Sequence, residues 1–301
     1  MNRRTFLAAS AAAAASGGAA WKLSERASDE AALAPRPIAL PTEGVVRTAF
    51  AIGPGVNVID TAGPWEVFCD SAVIGRTMHF DLYTVAATRE PVEGNSGLMI
   101  TPRYTYADAP QPHLVVIPAH GAGEDTVAWL RHVAPRADLL MSVCTGAFVL
   151  ADTGLRDSKT ATTHHGSYAD FARMYPKIEL VRGMRFVEHD HVATAGGLTS
   201  GIDLALRVVE RYFGREIARK TAYNMEYQGE GWMDPDSNSI YAAAPISTAE
   251  HPLCPVCGMD VDPATSPKSV FNGKTYYFCS DDDKKTFDAT PDKFADATRR
   301  R

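Results

Sequence analysis

Residues 137–151, ADLLMSVCTGAFVLA, constrain the fold most, because an apolar strand runs through a Cys-Thr-Gly turn directly into an apolar helix. A strand that is apolar on both faces is typical of a parallel sheet covered by helices. The turn places Cys144 at a strand-to-helix elbow, where Gly146, without a Cβ atom, allows close packing. The sequence therefore predicts an α/β domain with a reactive site at this elbow.

Cys144 is a candidate nucleophile. Its thiol would face the unpaired N–H groups at the start of the following helix, whose positive end favours thiolate over thiol. We therefore expect the pKa of Cys144 to lie below that of a free cysteine. The alternative is a buried cysteine with a purely structural role, since free cysteine is among the most buried residue types.

Strands and helices alternate around this elbow, which again indicates a parallel sheet covered by helices. A hairpin is expected at 184–195, turning at His189 and Asp190. The remaining periodicity predicts strands at 45–52, 80–87 and 113–119, and helices at 64–72, 123–134, 202–214 and 215–227.

The segment VNVIDTAGPWEVF supplies a candidate acid-base partner. It places Asp60 in the loop after the first strand, with Pro64 opening the next helix and Glu66 in its first turn. Ligand sites in parallel sheets lie outside the carboxyl ends of strands, so Asp60 and Cys144 can meet there and exchange a proton. The alternatives are a capping role for Asp60 and a surface role for Glu66.

The N-terminus predicts export. Arg3 and Arg4 precede an alanine-rich stretch that ends in small residues, so residues 1–20 are typical of a twin-arginine signal peptide. The stretch is too short and too rich in alanine for a membrane span. We expect a periplasmic mature protein without stable membrane insertion, the twin-arginine export machinery as a partner, and a linker at 21–44.

The net charge and the cysteine content limit which partners and which cysteine chemistry are possible. Removing residues 1–20 changes the formal net charge from −6 to −8, and an acidic surface without a basic stripe argues against nucleic acid as a partner. An odd number of cysteines in an oxidising compartment requires that at least one stays free, binds a metal or is modified. The cysteines are Cys69, Cys144, Cys254, Cys257 and Cys279.

A second, small domain follows a predicted linker at 229–250. Cys254-x-x-Cys257 before glycine forms a compact pair of ligands for a soft metal, and Cys279 lies on an aromatic strand further along. A module of about 45 residues rarely folds on core burial alone. The alternative to a metal is a Cys254–Cys257 disulfide with Cys279 free.

Five motifs in order, DTAGPWEVF, VVIPAHGAG, SVCTGAFVLADTGL, KTATTHH and TAGGLTSGIDLAL, resemble the ThiJ/PfpI family over residues 45–228. The isonitrile hydratase-like branch, also found as the sensor domain of AraC-type regulators, is the most similar. The resemblance implies a class I glutamine amidotransferase-like, flavodoxin-like parallel-sheet sandwich and a homodimer. It also implies that this domain needs no cofactor. The activity that it implies is that of a hydratase, which is classed as a lyase, or of a hydrolase, acting on a small electrophile.

The same resemblance assigns roles to residues. By it, Cys144 is the nucleophile, Asp60 the carboxylate that addresses the thiol, and Thr145 a substrate-contacting neighbour whose N–H faces developing negative charge. His164 lies in the matching ATTH stretch.

Several positions depart from the family pattern. Ala119 and His120 stand where the family has adjacent glycines, in a loop that normally supplies N–H donors to an oxyanion. Thr145 replaces the histidine of protease-like members, so a Cys-His peptidase mechanism is not expected. If a base is needed, His120 or His164 would supply it, and His165 replaces a tryptophan in the pocket wall.

Residues 251–296 resemble the YHS domain, a metal-associated unit related to the TRASH domain. Relatives supply a second cysteine pair with CxxxC spacing, whereas this chain has Asp283 at the last position. The resemblance thus implies a metal site of Cys254, Cys257, Cys279 and Asp283 for zinc or copper. The rival to an enzyme is a metal- or oxidant-handling protein in which Cys144 is a redox sensor.

Export should depend on the twin arginines. Replacing both, Arg3→Lys with Arg4→Lys, should leave precursor in the cytoplasm, because the pair is the recognition element of this route. Cell fractionation measures the outcome, and undiminished periplasmic protein would refute the assignment.

Overall fold

The computed structural model describes residues 36–75, 80–243 and 247–295. The predicted signal peptide at 1–20 and most of the predicted linker at 21–44 lie outside these residues. Within the described part of the chain, no helix has both the length and the apolar character needed to cross a membrane.

A seven-stranded sheet forms the centre of the larger domain. In chain order the strands of this domain are β1 (Val46–Ala51), β2 (Phe80–Ala86), β3 (Val92–Glu93), β4 (Met99–Ile100), β5 (Tyr104–Thr105), β6 (Leu114–Ile117), β7 (Leu139–Ser142), β8 (Thr160–Ala161), β9 (Glu179–Leu180), β10 (Phe186–His189) and β11 (Val192–Ala195). They lie in the order β10-β11-β7-β6-β1-β2-β5, while β3 pairs with β4 and β8 with β9. All pairs of the large sheet are parallel except the β10–β11 hairpin.

Helices cover both faces of this sheet. They are α1 (Val58–Gly75), α2 (Glu124–Val133), α3 (Gly146–Asp152), α4 (Tyr168–Met174), α5 (Ser200–Phe213) and α6 (Arg215–Asn224). Successive residues of β1 face opposite sides, since Phe50 packs in a cluster with α1 and α5 while Ala49 and Ala51 join the cluster beneath α2. The prediction of a parallel sheet buried on both faces is confirmed.

The start of α1 differs from the prediction. The helix begins at Val58, six residues before Pro64, because the Asn57 side chain caps its first turn by accepting the Ile59 N–H at 3.2 Å. Asp60 therefore lies in the first turn of the helix and not in a loop. Pro64 is inside the helix.

Part of the segment predicted as a linker at 229–250 packs against the larger domain. Trp232 is 2% exposed and belongs to the main apolar cluster. Further along, Arg185 donates its backbone N–H to the Pro235 carbonyl and a guanidinium N–H to Asn238. These contacts hold the following 3-10 turn, Ser239–Tyr241, on this domain.

The small domain is a hairpin followed by two helices. Its elements are β12 (Lys268–Phe271), β13 (Lys274–Tyr277), α7 (Asp281–Ala289) and α8 (Pro291–Ala295). Asn272 and Gly273 both have positive φ, as a tight hairpin turn requires. Phe278 and Phe287 form the centre of the core, which also includes Cys254 and Cys257. Two of the four metal-ligand candidates are thus part of this core, while Cys279 is exposed.

Candidate active site and metal centre

The backbone of Cys144 adopts the left-handed region, with φ of 58°. This conformation is rare for a residue with a side chain, and such strain concentrates at functional sites. Two hydrogen bonds from other segments hold it: the Cys144 N–H donates to the Gly196 carbonyl at 2.9 Å, and the Thr163 hydroxyl donates to the Cys144 carbonyl at 2.8 Å. Residues at the end of β11 and in the loop after β8 therefore fix the conformation of the elbow.

Gly146 is required by a close approach of two main-chain segments. A Cβ atom at this position would lie 2.1 Å from the Ile117 carbonyl oxygen and 2.8 Å from that of Pro118. The prediction that this glycine permits tight packing at the elbow is confirmed. α3 can therefore start directly against the end of β6.

Backbone amides surround the sulfur of Cys144. The N–H groups of Thr145 and Leu198 hydrogen-bond to it, as does the Thr145 hydroxyl. Leu198 has a positive φ of 52°, which turns its amide toward the site. No sequence pattern singles out Leu198, because it acts through its main chain; the preceding Gly196 and Gly197 are its only signal.

Asp60 is completely buried beside the thiol. Its Oδ2 accepts the Ala119 N–H at 3.2 Å, and its Oδ1 has no hydrogen-bond partner among the described residues. Burial raises the pKa of Asp60 to about 6, although the Ala119 amide and the Cys144 thiol both favour the ionised carboxyl. The structure thus brings the predicted acid and nucleophile together, with the carboxyl mostly ionised at neutral pH.

The expectation of a lowered pKa for Cys144 is wrong for the free protein. Burial, which leaves the residue 7% exposed, and then the negative charge of Asp60 raise the pKa of Cys144 to about 11. The amides of Thr145 and Leu198 act in the opposite direction but do not compensate. At neutral pH the pair therefore consists of a thiol and a carboxylate, and the carboxylate can accept the thiol proton during attack.

His120 is neutral and has one fixed tautomer. Its Nδ1–H donates to the Pro118 carbonyl at 2.8 Å, and burial lowers its pKa. Nε2 therefore carries no proton, and it is buried without a partner among the described residues. The neighbouring Ala119 N–H is bound to Asp60, so it serves the acid and not an oxyanion.

His164 lies on the other side of the elbow. Its Nδ1 accepts the Gly166 N–H at 3.1 Å, and burial followed by the neighbouring His165 lowers its pKa. A Cβ atom on Gly197 would lie 2.2 Å from His164 Cδ2, so the ring rests directly on that glycine. Unlike Thr145 and Asp60, His164 is engaged with these glycines rather than with the sulfur.

The four predicted metal ligands converge. One ligand atom each from Cys254, Cys257, Cys279 and Asp283 lies within 4.8 Å of all the others. Asp283 Oδ2 is 3.3 Å from the Cys254 sulfur and 3.2 Å from that of Cys279, and the Cys257 and Cys279 sulfurs are 3.4 Å apart. Thiolates about 2.3 Å from a tetrahedral zinc ion are separated by somewhat under 4 Å, so the donor set fits one ion. The cysteines are free thiols, which favours the metal over the disulfide alternative.

Main-chain amides also support the cysteine pair. The N–H groups of Val256, Cys257 and Cys279 point at the Cys254 sulfur, and that of Met259 points at the Cys257 sulfur. The loop closes through the Gly258 N–H, which donates to the Cys254 carbonyl at 2.8 Å. Donors aimed at sulfur stabilise thiolates, the form that binds metal.

Comparison with known sequence families agrees with this geometry. The model described as the DJ-1/PfpI family matches residues 46–211, which is more than half of the chain. The model described as the YHS domain matches residues 254–298. The second match contains all four candidate metal ligands.

Individual relatives are more distant. Isonitrile hydratase of Pseudomonas putida is 29% identical over 217 residues, which cover 70% of this chain and 91% of that protein. The HTH-type transcriptional regulator CdhR of Pseudomonas aeruginosa is 26% identical over 177 residues, covering 56% of this chain and 51% of the regulator.

Solved structures confirm the predicted flavodoxin-like fold class. A ThiJ/PfpI family protein from Pseudomonas syringae superposes with a TM-score of 0.54 at 25% identity, covering 62% of this chain and 77% of the other. Drosophila melanogaster DJ-1beta, at 17% identity, superposes with a TM-score of 0.53 over 62% of this chain and the whole of that one.

The pH dependence of Cys144 alkylation tests the electrostatics of the pair. The rate should still be rising well above pH 8.5, about the pKa of a free thiol, because burial and Asp60 oppose ionisation. Asp60→Asn should move the profile to lower pH, since it removes the neighbouring negative charge. Mass spectrometry of the Cys144 peptide gives the rate at each pH.

Glu66→Gln is the matched control, since it removes the same charge from an exposed position on α1. Its profile should coincide with that of the unaltered protein. Half-maximal alkylation near pH 8.5 in the unaltered protein, or no shift with Asp60→Asn, would contradict the assigned coupling.

Proposed function

The chain belongs to the DJ-1/PfpI family, and we propose that its larger domain hydrates isonitriles or closely related small electrophiles through a covalent intermediate on Cys144. The observation that carries the proposal is the buried pair of Cys144 and Asp60 at a strained elbow. The 29% identity to an isonitrile hydratase over most of that protein supports this substrate class.

The pair can perform the first step without an external base. Asp60 accepts the proton of the Cys144 thiol while the sulfur forms a bond to the terminal carbon of the isonitrile. The protonated carboxyl then delivers this proton to the same carbon, so the S–H bond is exchanged for one C–S and one C–H bond. The product of the step is a thioimidate on Cys144 and an ionised Asp60.

Hydrolysis completes the cycle. Asp60 accepts a proton from water while the hydroxyl adds to the thioimidate carbon, and the carboxyl returns that proton to the nitrogen. The tetrahedral adduct collapses as the C–S bond breaks, and its hydroxyl proton returns to the sulfur through Asp60. The N–H groups of Thr145 and Leu198 stabilise the departing thiolate. The balance is one isonitrile and one water consumed, and one N-substituted formamide released.

A redox sensor is the weaker candidate. Oxidation of cysteine proceeds through an accessible thiolate. Cys144 is 7% exposed, and burial raises its pKa to about 11. Both observations favour a thiol activated by its neighbour at the moment of attack.

We propose that the small domain binds one soft metal ion, zinc or copper(I), through Cys254, Cys257, Cys279 and Asp283. Three sulfur donors supported by amides suit either ion, and the carboxylate is the harder, weaker fourth donor. Such an ion would supply much of the stability of a module this small.

We also propose that the protein is exported by the twin-arginine route, acts in the periplasm and forms a homodimer. Arg3 and Arg4 before an alanine-rich stretch support the first two points. The homodimer rests on the family resemblance alone.

Isonitrile hydration should require both members of the pair. Cys144→Ala should reduce formamide production from cyclohexyl isonitrile to background, and Asp60→Asn should reduce kcat/KM by at least about 100-fold. In the unaltered protein, kcat/KM should fall as the pH drops through about 6, because the base form of Asp60 is lost there. Chromatographic assay of the formamide measures all three.

Glu66→Gln should keep both the rate and the pH profile of the unaltered protein, since Glu66 is exposed on the same helix. If Cys144→Ala retains the activity, the covalent mechanism is wrong. If the unaltered protein yields no formamide from any small isonitrile, the substrate class is wrong.

Metal content tests the small domain. The purified protein should bind about one zinc or copper(I) ion per chain, and Cys257→Ser should abolish this binding because it removes one of three sulfur donors. Cys69→Ser, outside the cluster, should leave it unchanged. Elemental analysis after dialysis decides between these outcomes, and a metal-free protein with a Cys254–Cys257 disulfide would sink the assignment.

A further inference from the structure

Leu198 donates its main-chain N–H to the Cys144 sulfur, yet its own side chain does little to fix its position. The side chain is 39% exposed, and the backbone lies in the left-handed region with φ of 52°. A leucine keeps this conformation only where its surroundings impose it. The chain is anchored on either side of Gly197, because the carbonyls of Gly196 and Leu198 accept main-chain N–H groups at 2.9 and 3.0 Å. What packs on Gly197 therefore decides where the Leu198 N–H points.

The ring of His164 packs on Gly197. A Cβ atom on this glycine would lie 2.2 Å from Cδ2 and 3.1 Å from Nε2 of the imidazole, so the ring and the main chain are in direct contact. The orientation of the ring is fixed, because its Nδ1 accepts the Gly166 N–H at 3.1 Å. Burial and then His165 lower the pKa of His164, so the ring is neutral at neutral pH. The imidazole thus presents a fixed, uncharged surface to the main chain.

Two further rings continue from His164. The ring of His165 lies 4.5 Å from it, with an angle of 35° between the planes, and Tyr241 stacks on His165 at 4.3 Å and 19°. Tyr241 comes from the 3-10 turn Ser239–Tyr241, far along the chain. His164, His165 and Tyr241 thus form a ring stack that connects this turn with Gly197.

We propose that the ring stack positions the Leu198 N–H toward the Cys144 sulfur, through the contact of His164 with Gly197. His164 is then a positioning residue, which neither touches the substrate nor transfers a proton. In the proposed hydratase reaction, on which this role rests, the Leu198 N–H stabilises the thiolate that leaves the tetrahedral adduct. Loss of the ring should therefore slow this step, and not the attack of the thiol on the isonitrile.

Nuclear magnetic resonance of the full chain, with isotope-labelled leucine, tests the contact without any substrate. The Leu198 amide peak is identified by its loss in Leu198→Met. The difference between its shifts with and without Cys144→Ala is the sulfur-dependent shift, which reports the hydrogen bond while the magnetic effect of nearby rings cancels. This difference should fall to about half or less in His164→Ala, because a hydrogen bond weakens steeply once its geometry changes. An unaltered difference would refute the proposal.

His164→Phe is the matched variant, since it keeps a ring on Gly197 but cannot accept the Gly166 N–H. His164 lines a cavity of about 550 Å³, which leaves room for the larger ring. The sulfur-dependent shift should be largely retained in this variant. A loss as great as in His164→Ala would overturn the proposal, because the hydrogen bond to Gly166 would then be the decisive contact.

Gly197→Ala gives a result that a general loss of stability does not imitate. Gly197 does not have a positive φ, so alanine can adopt its backbone conformation. Alone, the added Cβ atom meets the ring at 2.2 Å, so the sulfur-dependent shift should fall. Combined with His164→Ala, the same methyl group enters the space that the ring left, and the shift should recover relative to His164→Ala alone. Additive losses in the double variant would contradict the assigned contact.

Tyr241→Ala tests the far end of the ring stack. It should lower the sulfur-dependent shift in the same direction as His164→Ala but by less, since His164 keeps its own contacts. Tyr223→Ala removes an 87% exposed tyrosine from α6 and should leave the shift unchanged. Together with Gly197→Ala, this pair decides the matter if His164→Ala does not fold. Equal shifts in the two tyrosine variants would exclude a role for the stack.

The kinetics of isonitrile hydration separate this proposal from the one on which it rests. His164→Ala should lower kcat about tenfold or more and kcat/KM much less, and the thioimidate should accumulate on Cys144, as measured by mass spectrometry of the intact protein. An unchanged kcat, or an equal fall in both constants without adduct, would overturn the proposal. If the unaltered protein yields no formamide, the hydratase proposal fails, while the sulfur-dependent shift still decides whether the ring stack positions Leu198.

Discussion

The left-handed backbone of Cys144 is the constraint on which the rest of the active site depends. Such a conformation costs about 1–3 kcal/mol, and hydrogen bonds to Gly196 and from Thr163 offset it. Gly196 is in place because β11 lies beside β7 in the sheet, whereas Thr163 follows β8, which pairs with β9 outside that sheet. The position of β11 also brings the Leu198 N–H to the Cys144 sulfur. The backbone conformation of the elbow and the surroundings of the nucleophile therefore both depend on the order of the strands.

Burial of Cys144 and Asp60 determines how the pair can react. The helix start and the neighbouring amides favour a thiolate, yet desolvation and the charge of Asp60 outweigh them, so Cys144 keeps its proton. The same burial raises the pKa of Asp60 to about 6, where it remains ionised at neutral pH but returns a proton readily. A nucleophile activated by proton transfer is therefore favoured over a preformed thiolate, which suits addition to a neutral electrophile that itself needs a proton.

The candidate metal ligands are positioned differently from the residues around Cys144, because a short loop and a hairpin bring them together rather than a large sheet. Cys254 and Cys257 are set by one turn with amides aimed at the sulfurs, while Cys279 and Asp283 come from the end of the hairpin and the first turn of α7. The cysteine loop, residues 257–260, also forms part of the wall of the cavity that is lined on its other side by His164, Tyr168 and Tyr241.

Sequence alone determined the alternation of strands and helices, the elbow at Cys144 with its glycine, and the Cys254-x-x-Cys257 pair, because periodicity and short spacings are local properties of the chain. The full set of candidate metal ligands, with Cys279 and Asp283, came from the resemblance to the YHS domain. The tertiary structure decided the rest. The start of α1 follows from a cap at Asn57 that outweighs the signal of Pro64. The Leu198 amide, the raised pKa of Cys144 and the cavity between the domains come from segments distant in sequence. Desolvation and hydrogen bonds from main-chain N–H groups leave no pattern of residue types in the sequence, so only the packed structure reveals them.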